Sequence, residues 1–411
     1  MPSGLRIHDL RLDSGTRLLV RPRADLPVVA IQVLHGGGRR GERPETAGIT
    51  SLLCKSQLKG TASRTAQEIA LEVESLGSGI GVLQAPDYYG FSLKVLKSRL
   101  EDALPVLADV LRRPAFPPEE VEKEKQSVYA EIRRHHDSMM SRALDLFHRA
   151  CYGSQPYGLP AAGDAEAAAA LTADDLAAWH ARWSRGPNTV IAVVGPVEPR
   201  EAAALLERLA PDATEPAPPC QPSLPGEPRQ EEVLIERNQT AAVLGFPGAP
   251  AAGEDRPALD LLARICGGLA GRFFAAVRVD NALAYAVTAL HLSRLDSGSF
   301  LAYTATAPER AEDARDILLA ECARLLREPP DAAEITSAKT ALRASHAIGM
   351  QTFFAQAAEM AVLAMMGQDP EEAERFLERV DALTRDDLLR AAERINAGPW
   401  WRGVVRGTGH R

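Results

Sequence analysis

Cysteine, aromatic residues and long apolar runs are all scarce in this 411-residue sequence. Its five cysteines (Cys54, Cys151, Cys220, Cys266 and Cys322) form an odd, scattered set without metal-ligand spacing. That excludes a small disulfide scaffold and suits reduced thiols in a reducing compartment. No run of about 18 apolar residues occurs, so no membrane span is expected. Met1 to Leu10 contains neither an apolar h-region nor a small-residue cleavage site. The expected location is therefore the cytoplasm, or the periplasm if a leader has been removed. Positive charge is not in excess: 47 Lys+Arg against 55 Asp+Glu give a formal net charge of −8. This balance argues against a broad nucleic-acid surface or a polybasic membrane patch. Several catalytic signatures are missing as well. There is no Gly-x-Ser-x-Gly elbow, Cys54 has no evident His partner, and Gly36-Gly37-Gly38 lacks the Lys-Ser/Thr of a Walker loop and reads as a flexible turn. His135 and His136 point about 100° apart on a helix, so they read as a solvated face rather than a shared metal site. What remains is the composition of a globular protein, 45% apolar and 25% charged, long enough for two or three domains.

An internal repeat resolves that choice. Leu171-Thr172-Ala173-Asp174-Asp175-Leu176 returns 212 residues later as Leu383-Thr384-Arg385-Asp386-Asp387-Leu388. Both read as helix starts, with Thr as N-cap and paired Asp in the first turn, where the helix dipole favours negative charge. The apolar segment Asn188 to Gly195 returns at the same offset as Trp400 to Gly407, and Pro117-Pro118 as Pro329-Pro330. Between the copies, seven prolines lie from Pro211 to Pro228. Proline lacks a backbone N–H and resists helix, so 211–228 is expected to be an extended linker between domains 1–210 and 229–411.

Within the first half, Arg17 to Arg21, Val28 to Leu34 and Tyr88 to Val95 read as strands, with a poorer one near Gly79 to Gln84. Helices are expected around 46–58, 64–76 and 118–136. Leu100, Leu104, Leu107 and Leu111 form one helical stripe, with Pro105 a point for a kink or a later start. Strands grouped in a block with segregated helices give an α+β class: two similar domains, each an antiparallel-rich sheet with helices on one side.

The segment from Leu12-Asp13-Ser14-Gly15 through Gly36-Gly37-Gly38-Arg39 and Glu45-Thr46-Ala47-Gly48 to Lys59-Gly60-Thr61 resembles the insulinase, pitrilysin and mitochondrial-processing-peptidase family of zinc proteases. The resemblance extends over essentially the whole chain. It places the inverted zinc motif His-x-x-Glu-His at positions 51 to 55, where this chain has Ser51-Leu52-Leu53-Cys54-Lys55. Both His ligands and the general-base Glu are therefore replaced. A catalytic zinc needs imidazole and carboxylate ligands plus an open water position. Lys55 could bind a metal only when neutral, at a cost of roughly 4.6 kcal/mol for a pKa moved from ~10.4 to ~7. Glu131 stands at the family's third-ligand position; without His partners it reads as a solvated carboxylate on a charged helix.

The second half reads differently. Gly267-Gly268-Leu269-Ala270-Gly271-Arg272-Phe273-Phe274 is similar to the family's glycine turn, and it leads to Arg278 and Tyr285, which match an Arg/Tyr pair seven residues apart. The resemblance implies that this pair binds substrate backbone and stabilises an oxyanion at a zinc site on the opposite domain, a role suited to guanidinium and phenol donors. Val279-Asp280 and Ala282 depart from the family pattern, which more often has an acidic then a basic residue, and a Gly. Together these features predict a chain without its own metal or cofactor, inactive alone. It would supply Arg278 and Tyr285 in trans to a homologous zinc-bearing partner in a heterodimeric metallopeptidase acting on peptides. Two rivals are a catalytically silent scaffold subunit with the same fold and a homodimer that binds peptides without cutting them.

Overall fold

The computed structural model describes residues 6–409. The start of the Met1 to Leu10 segment lies outside the described residues. The chain gathers into two compact units. One holds the residues up to Ile132, Ala161–Gln221 and Ile348–Ala373; the other holds Arg133–Pro160, Pro222–Ala347 and the residues from Glu374 on.

The first unit is built on six strands: β1 (His8–Arg11), β2 (Arg17–Pro22), β3 (Val28–Gly36), β4 (Ile80–Gln84), β5 (Tyr88–Leu96) and β6 (Thr189–Gly195). They lie in the order β1-β2-β6-β3-β5-β4. Only β2 and β6 run parallel; the other neighbours are antiparallel. Side chains alternate across β3 with a period of two. Val29, Ile31 and Val33 face a layer containing Leu52, Leu53, Leu104 and Leu107. Ala30 and Leu34 face the opposite way, against Ala357, Met360 and Ala361 of the helix Phe353–Met365. The expected helical layer on one side is present, and a single helix from far down the chain covers the other face. Leu100, Leu104, Leu107 and Leu111 are all buried, on a helix that runs through Pro105 without ending. Burying each such leucine contributes on the order of 2 kcal/mol.

The second unit repeats the plan with β7 (Gln230–Ile235), β8 (Thr240–Pro247), β9 (Ala284–Ser293), β10 (Gly298–Thr306) and β11 (Trp401–Gly407), ordered β7-β11-β8-β10-β9. Again one pair, β7 and β11, is parallel. Here the covering helix is Met139–Tyr152, whose Ala143, Phe147 and Ala150 pack on Ala241, Val243, Leu301 and Val405. Each covering helix thus comes from the part of the chain that does not build the sheet beneath it. β6 and β11 span corresponding residues 212 apart, and both Thr caps form: Thr172 accepts from the Asp175 N–H and Thr384 from the Asp387 N–H, each in a full capping box. The stretch 211–228 holds no helix or strand.

Two expectations are corrected. Gly36, Gly37 and Gly38 are buried rather than a flexible turn. Gly37 has φ +122, and a Cβ there would stand 2.8 Å from the Trp183 ring; one on Gly38, at φ +52, would stand 2.6 Å from the Ala85 carbonyl oxygen. The glycines serve close packing and left-handed backbone. His135 does not belong to a solvated face: it is part-buried and its Nε2 sits 2.7 Å from Asp145.

Candidate functional site

The helix Ile49–Ser56 carries the three replaced motif positions. It starts at Gly48, whose φ of +101 suits glycine and whose Cβ would crowd the Gly163 Cα at 3.1 Å. The buried Glu42 carboxylate caps this end by accepting the Gly48 N–H at 2.9 Å and the Thr50 N–H at 3.1 Å. Two of the amides left open by the first helical turn are thereby satisfied. Burial raises the Glu42 carboxyl above its ordinary pKa despite those bonds.

Cys54 is fully buried, and that burial pushes its thiol up to about 12, so it keeps its proton. Lys55 donates from Nζ to Glu131 Oε1 at 2.7 Å. Glu131 therefore comes to position 55 across 76 residues, as the family spacing implies, but as the acceptor of an ion pair and not as a solvated carboxylate. In the 3-10 turn Gln57–Lys59 that follows, Lys59 and Glu124 repeat the arrangement at 3.1 Å, so two ion pairs tie this helix and its extension to the long helix Pro118–Asp137. The set does not fit zinc. Ser51 offers a neutral hydroxyl, Cys54 a protonated thiol and Lys55 an ammonium already held by the one carboxylate. A dication placed there would face that ammonium. Among the described residues no group of three or more His, Cys, Asp or Glu is placed to hold a metal.

The Arg278/Tyr285 segment lies in the other unit. Gly271 is packed so closely that a Cβ would fall 2.1 Å from the Gly267 carbonyl oxygen, which explains the glycine turn. The chain then makes a short helical turn, Arg272–Phe274, which Arg272 fixes by pairing with Glu334 at 2.6 Å. A π-helical turn follows over Ala275–Asp280, a feature frequent at functional sites. Arg278 donates from Nη1 to the Tyr285 carbonyl oxygen at 2.8 Å and lies 5.2 Å from the centre of the Phe274 ring. Tyr285, near the start of the edge strand β9, is 59% exposed. Ala282, where the family usually has glycine, has φ +51. The turn keeps the left-handed conformation and bears it on a residue with a Cβ. The structure thus joins Arg278 and Tyr285 directly and leaves both exposed.

Sequence reading missed Glu42, Lys59, Glu124 and Phe274. The four-residue step from Phe274 to Arg278 was a usable signal, since i and i+4 side chains meet on a helix. Glu42, a single carboxylate in a loop, carried none.

With the geometry in hand, comparison with known proteins is specific. Residues 20–165 match the family model described as insulinase (peptidase family M16), and residues 170–342 match that of the peptidase M16 inactive domain. The chain is 28% identical over 355 residues to the uncharacterized zinc protease YmxG of Bacillus subtilis, covering 82% of this chain and 83% of that protein. It is 27% identical over 392 residues to an uncharacterized zinc protease of Rickettsia felis, covering 94% of each. Two crystal structures share the fold. A peptidase M16 inactive domain from Pseudomonas fluorescens has TM-score 0.89 at 22% identity over 98% of both chains. A protease from Helicobacter pylori has TM-score 0.90 at 19% identity, covering 98% of this chain and 99% of that one. Both halves of the chain, the one with the altered motif and the one with the Arg/Tyr pair, are thus accounted for by a single family: the protein belongs to the insulinase family of peptidases, M16.

Proposed function

We propose that this chain is the subunit of a two-chain M16 peptidase that does not bind zinc. The carrying observation is the Lys55–Glu131 ion pair, which occupies the place of the metal motif with a cation of the chain's own. A homologous partner would supply the zinc site, and this chain would supply Arg278 and Tyr285. Two exposed donors suit that role: a guanidinium and a phenol can hold a peptide backbone and donate to a carbonyl oxygen as negative charge develops on it. The peptide-binding and cytoplasmic or periplasmic assignments belong to the same proposal.

The scaffold reading has one observation in its favour, since Arg278 already donates to a carbonyl of its own chain. The same experiment separates the two. The chain is purified alone and together with a homologous M16 subunit that carries an intact zinc motif, and peptide hydrolysis is measured. The expected result is no cleavage by the lone chain and cleavage by the pair, with kcat reduced about 10²–10³-fold by combined Arg278→Ala and Tyr285→Phe. Chelator-sensitive cleavage by the lone chain overturns the proposal. An unchanged rate in the doubly substituted pair leaves the scaffold reading.

A further inference from the structure

Arg278 is held in place without being neutralised. Its Nη1 donates to the Tyr285 carbonyl oxygen at 2.8 Å, and its Cζ lies over the Phe274 ring, 5.2 Å from the centre. Both contacts are to uncharged groups. Arg272, at the start of the same segment, shows the alternative: Glu334 closes its guanidinium through two bonds of 2.6 Å. A carboxylate aims an arginine and cancels its charge together, whereas a ring face and a carbonyl aim it and leave the charge in place. Of the five N–H donors on the Arg278 guanidinium, one is used among the described residues.

The two contacts are not equivalent. Tyr285 is passed over in the pairing of β9 with β10, where Ala286 faces Ala305 and Ala284 faces Thr306. A bulged residue of this kind leaves its carbonyl outside the ladder, and Arg278 takes it. That contact lies on exposed edge backbone. Phe274, by contrast, packs against the buried cluster of the second unit that contains Phe273, Val277 and Leu318. It stands four residues before Arg278, and the π-helical turn Ala275–Asp280 joins them. Asn281 fixes the end of that turn by donating from Nδ2 to the Ala276 carbonyl oxygen at 2.8 Å. An exposed arginine otherwise samples many rotamers, and ordering it opposes any binding it takes part in. The ring is the contact that ties this one to the core.

We propose that Phe274 is the positioning residue of Arg278: its core-anchored ring keeps the guanidinium ordered, charged and open to a carbonyl oxygen of a bound peptide. The peptide part rests on the two-chain reading; the positioning does not, and the test separates them.

The first measurement needs no partner. Relaxation of the Arg278 Nε–H is recorded by NMR in the full chain labelled with 15N-arginine, the signal being identified by its absence from Arg278→Lys. The expected result is an ordered side chain, an order parameter that falls below about 0.6 in Phe274→Leu, and recovery in Phe274→Tyr, which keeps the π face. Leucine keeps most of the bulk that packs on the core, and Phe274→Met replaces it if that variant does not fold. The second measurement is peptide hydrolysis with a homologous subunit that carries an intact zinc motif. Phe274→Leu is expected to lower kcat about two- to fivefold, the scale of one exposed cation–π contact, with KM unchanged. It is expected to have no effect once Arg278→Ala is present. An order parameter that Phe274→Leu leaves unchanged overturns the proposal, as does the same loss of kcat with and without Arg278. Undiminished activity of Arg278→Ala overturns the two-chain reading alone, and the relaxation result still decides the positioning.

Discussion

The two sheets place the same strand in the same register and treat charge in opposite ways. In the first, Val190 of β6 stands opposite Arg17 of the parallel neighbour and is buried as an apolar side chain. In the second, 212 residues on, Arg402 of β11 stands opposite Gln230 and is 1% exposed. It donates to Glu312 at 2.8 and 3.1 Å, and Arg406 donates to the same carboxylate at 2.8 Å. The candidate sites divide in a similar way. Lys55 is neutralised by a carboxylate of its own unit, whereas Arg278 has no acidic partner among the described residues and is held by a backbone carbonyl and a ring. The ladder of hydrogen bonds and the alternation of burial define the repeat, and the placement of charge is free to diverge on top of them. A cation left exposed without a counter-ion is then the residue to suspect of acting on something outside the chain.

The largest test of that contrast removes the charge partner from the second sheet. Glu312→Ala leaves Arg402 buried and poorly compensated. The expected loss is about 2–3 kcal/mol, below the ~3–5 of a fully buried pair because Glu312 is itself 42% exposed. Replacing both Arg402 and Glu312 by Leu, which makes the second sheet resemble the first, is expected to recover most of that loss. Urea unfolding measures both, and equal losses for the single and double variants would break the comparison. The pair also sets a pH dependence. Burial alone would raise the Glu312 carboxyl, but hydrogen bonds from Arg402 and Arg406 and the charges of Arg402 and Arg315 outweigh it and hold it at about 2 against an ordinary 4.5. The folded form thus prefers the carboxylate. Its contribution is complete above about pH 4.5 and is lost as the pH falls from there towards 2. Glu312→Gln should flatten the urea midpoint across that window.

The next test asks whether the two halves are equivalent where they look most alike. Thr172→Ala and Thr384→Ala each remove a capping box, at an expected cost of about 1 kcal/mol apiece. Hydrogen exchange at the first turn of each helix measures them separately. A difference above about 1 kcal/mol would show that the matching sequence does unequal work in the two settings.

These caps were also the most legible part of the molecule, because a cap is local: Thr and Asp three residues apart form it wherever the chain goes. The buried leucine stripe and the strands β2, β3, β5, β6 and β11 were legible for the same reason, since their apolar pattern reports the face that is covered, whereas β7 to β10 of the second sheet were not read from the sequence. What covers a face is not local. Nothing in Phe353–Met365 announces that it packs on a sheet built some 300 residues earlier, and nothing in Met139–Tyr152 announces that it packs on a sheet yet to come. The site divides in the same manner. Ser51, Cys54 and Lys55 could be judged unfit for zinc from their side chains alone. That Lys55 and Glu131 form a pair needed both helices in place, and an isolated view of Glu131 on a charged helix made it a solvated group. The Gly36-Gly37-Gly38 turn failed similarly. Its partner, Trp183, is a distant tryptophan, and no window of sequence contains both.

The smallest expected effect lies beside the Arg/Tyr pair. Among the described residues, two that are not glycine adopt positive φ, one in each unit: Phe116 at +47 and Ala282 at +51. Both bear the Cβ clash of left-handed backbone, on the order of 1–2 kcal/mol. Phe116 is 3% exposed in the first core, and burying its ring offsets that strain. Ala282 is exposed and has only a methyl group, so nothing of its own does so. Its turn is held by neighbours: its N–H donates to the Arg278 carbonyl oxygen at 3.2 Å and the Leu283 N–H to that of Val277 at 2.9 Å. Ala282→Gly relieves the clash and gives back part of the gain, since glycine orders at a cost of about 0.5–1 kcal/mol. The expected result is a net stabilisation of about 0.5 kcal/mol by urea unfolding. A loss of stability instead would mean that the methyl group packs on something in the working protein, and the exposed surface around Arg278 and Tyr285 is where that something would have to sit.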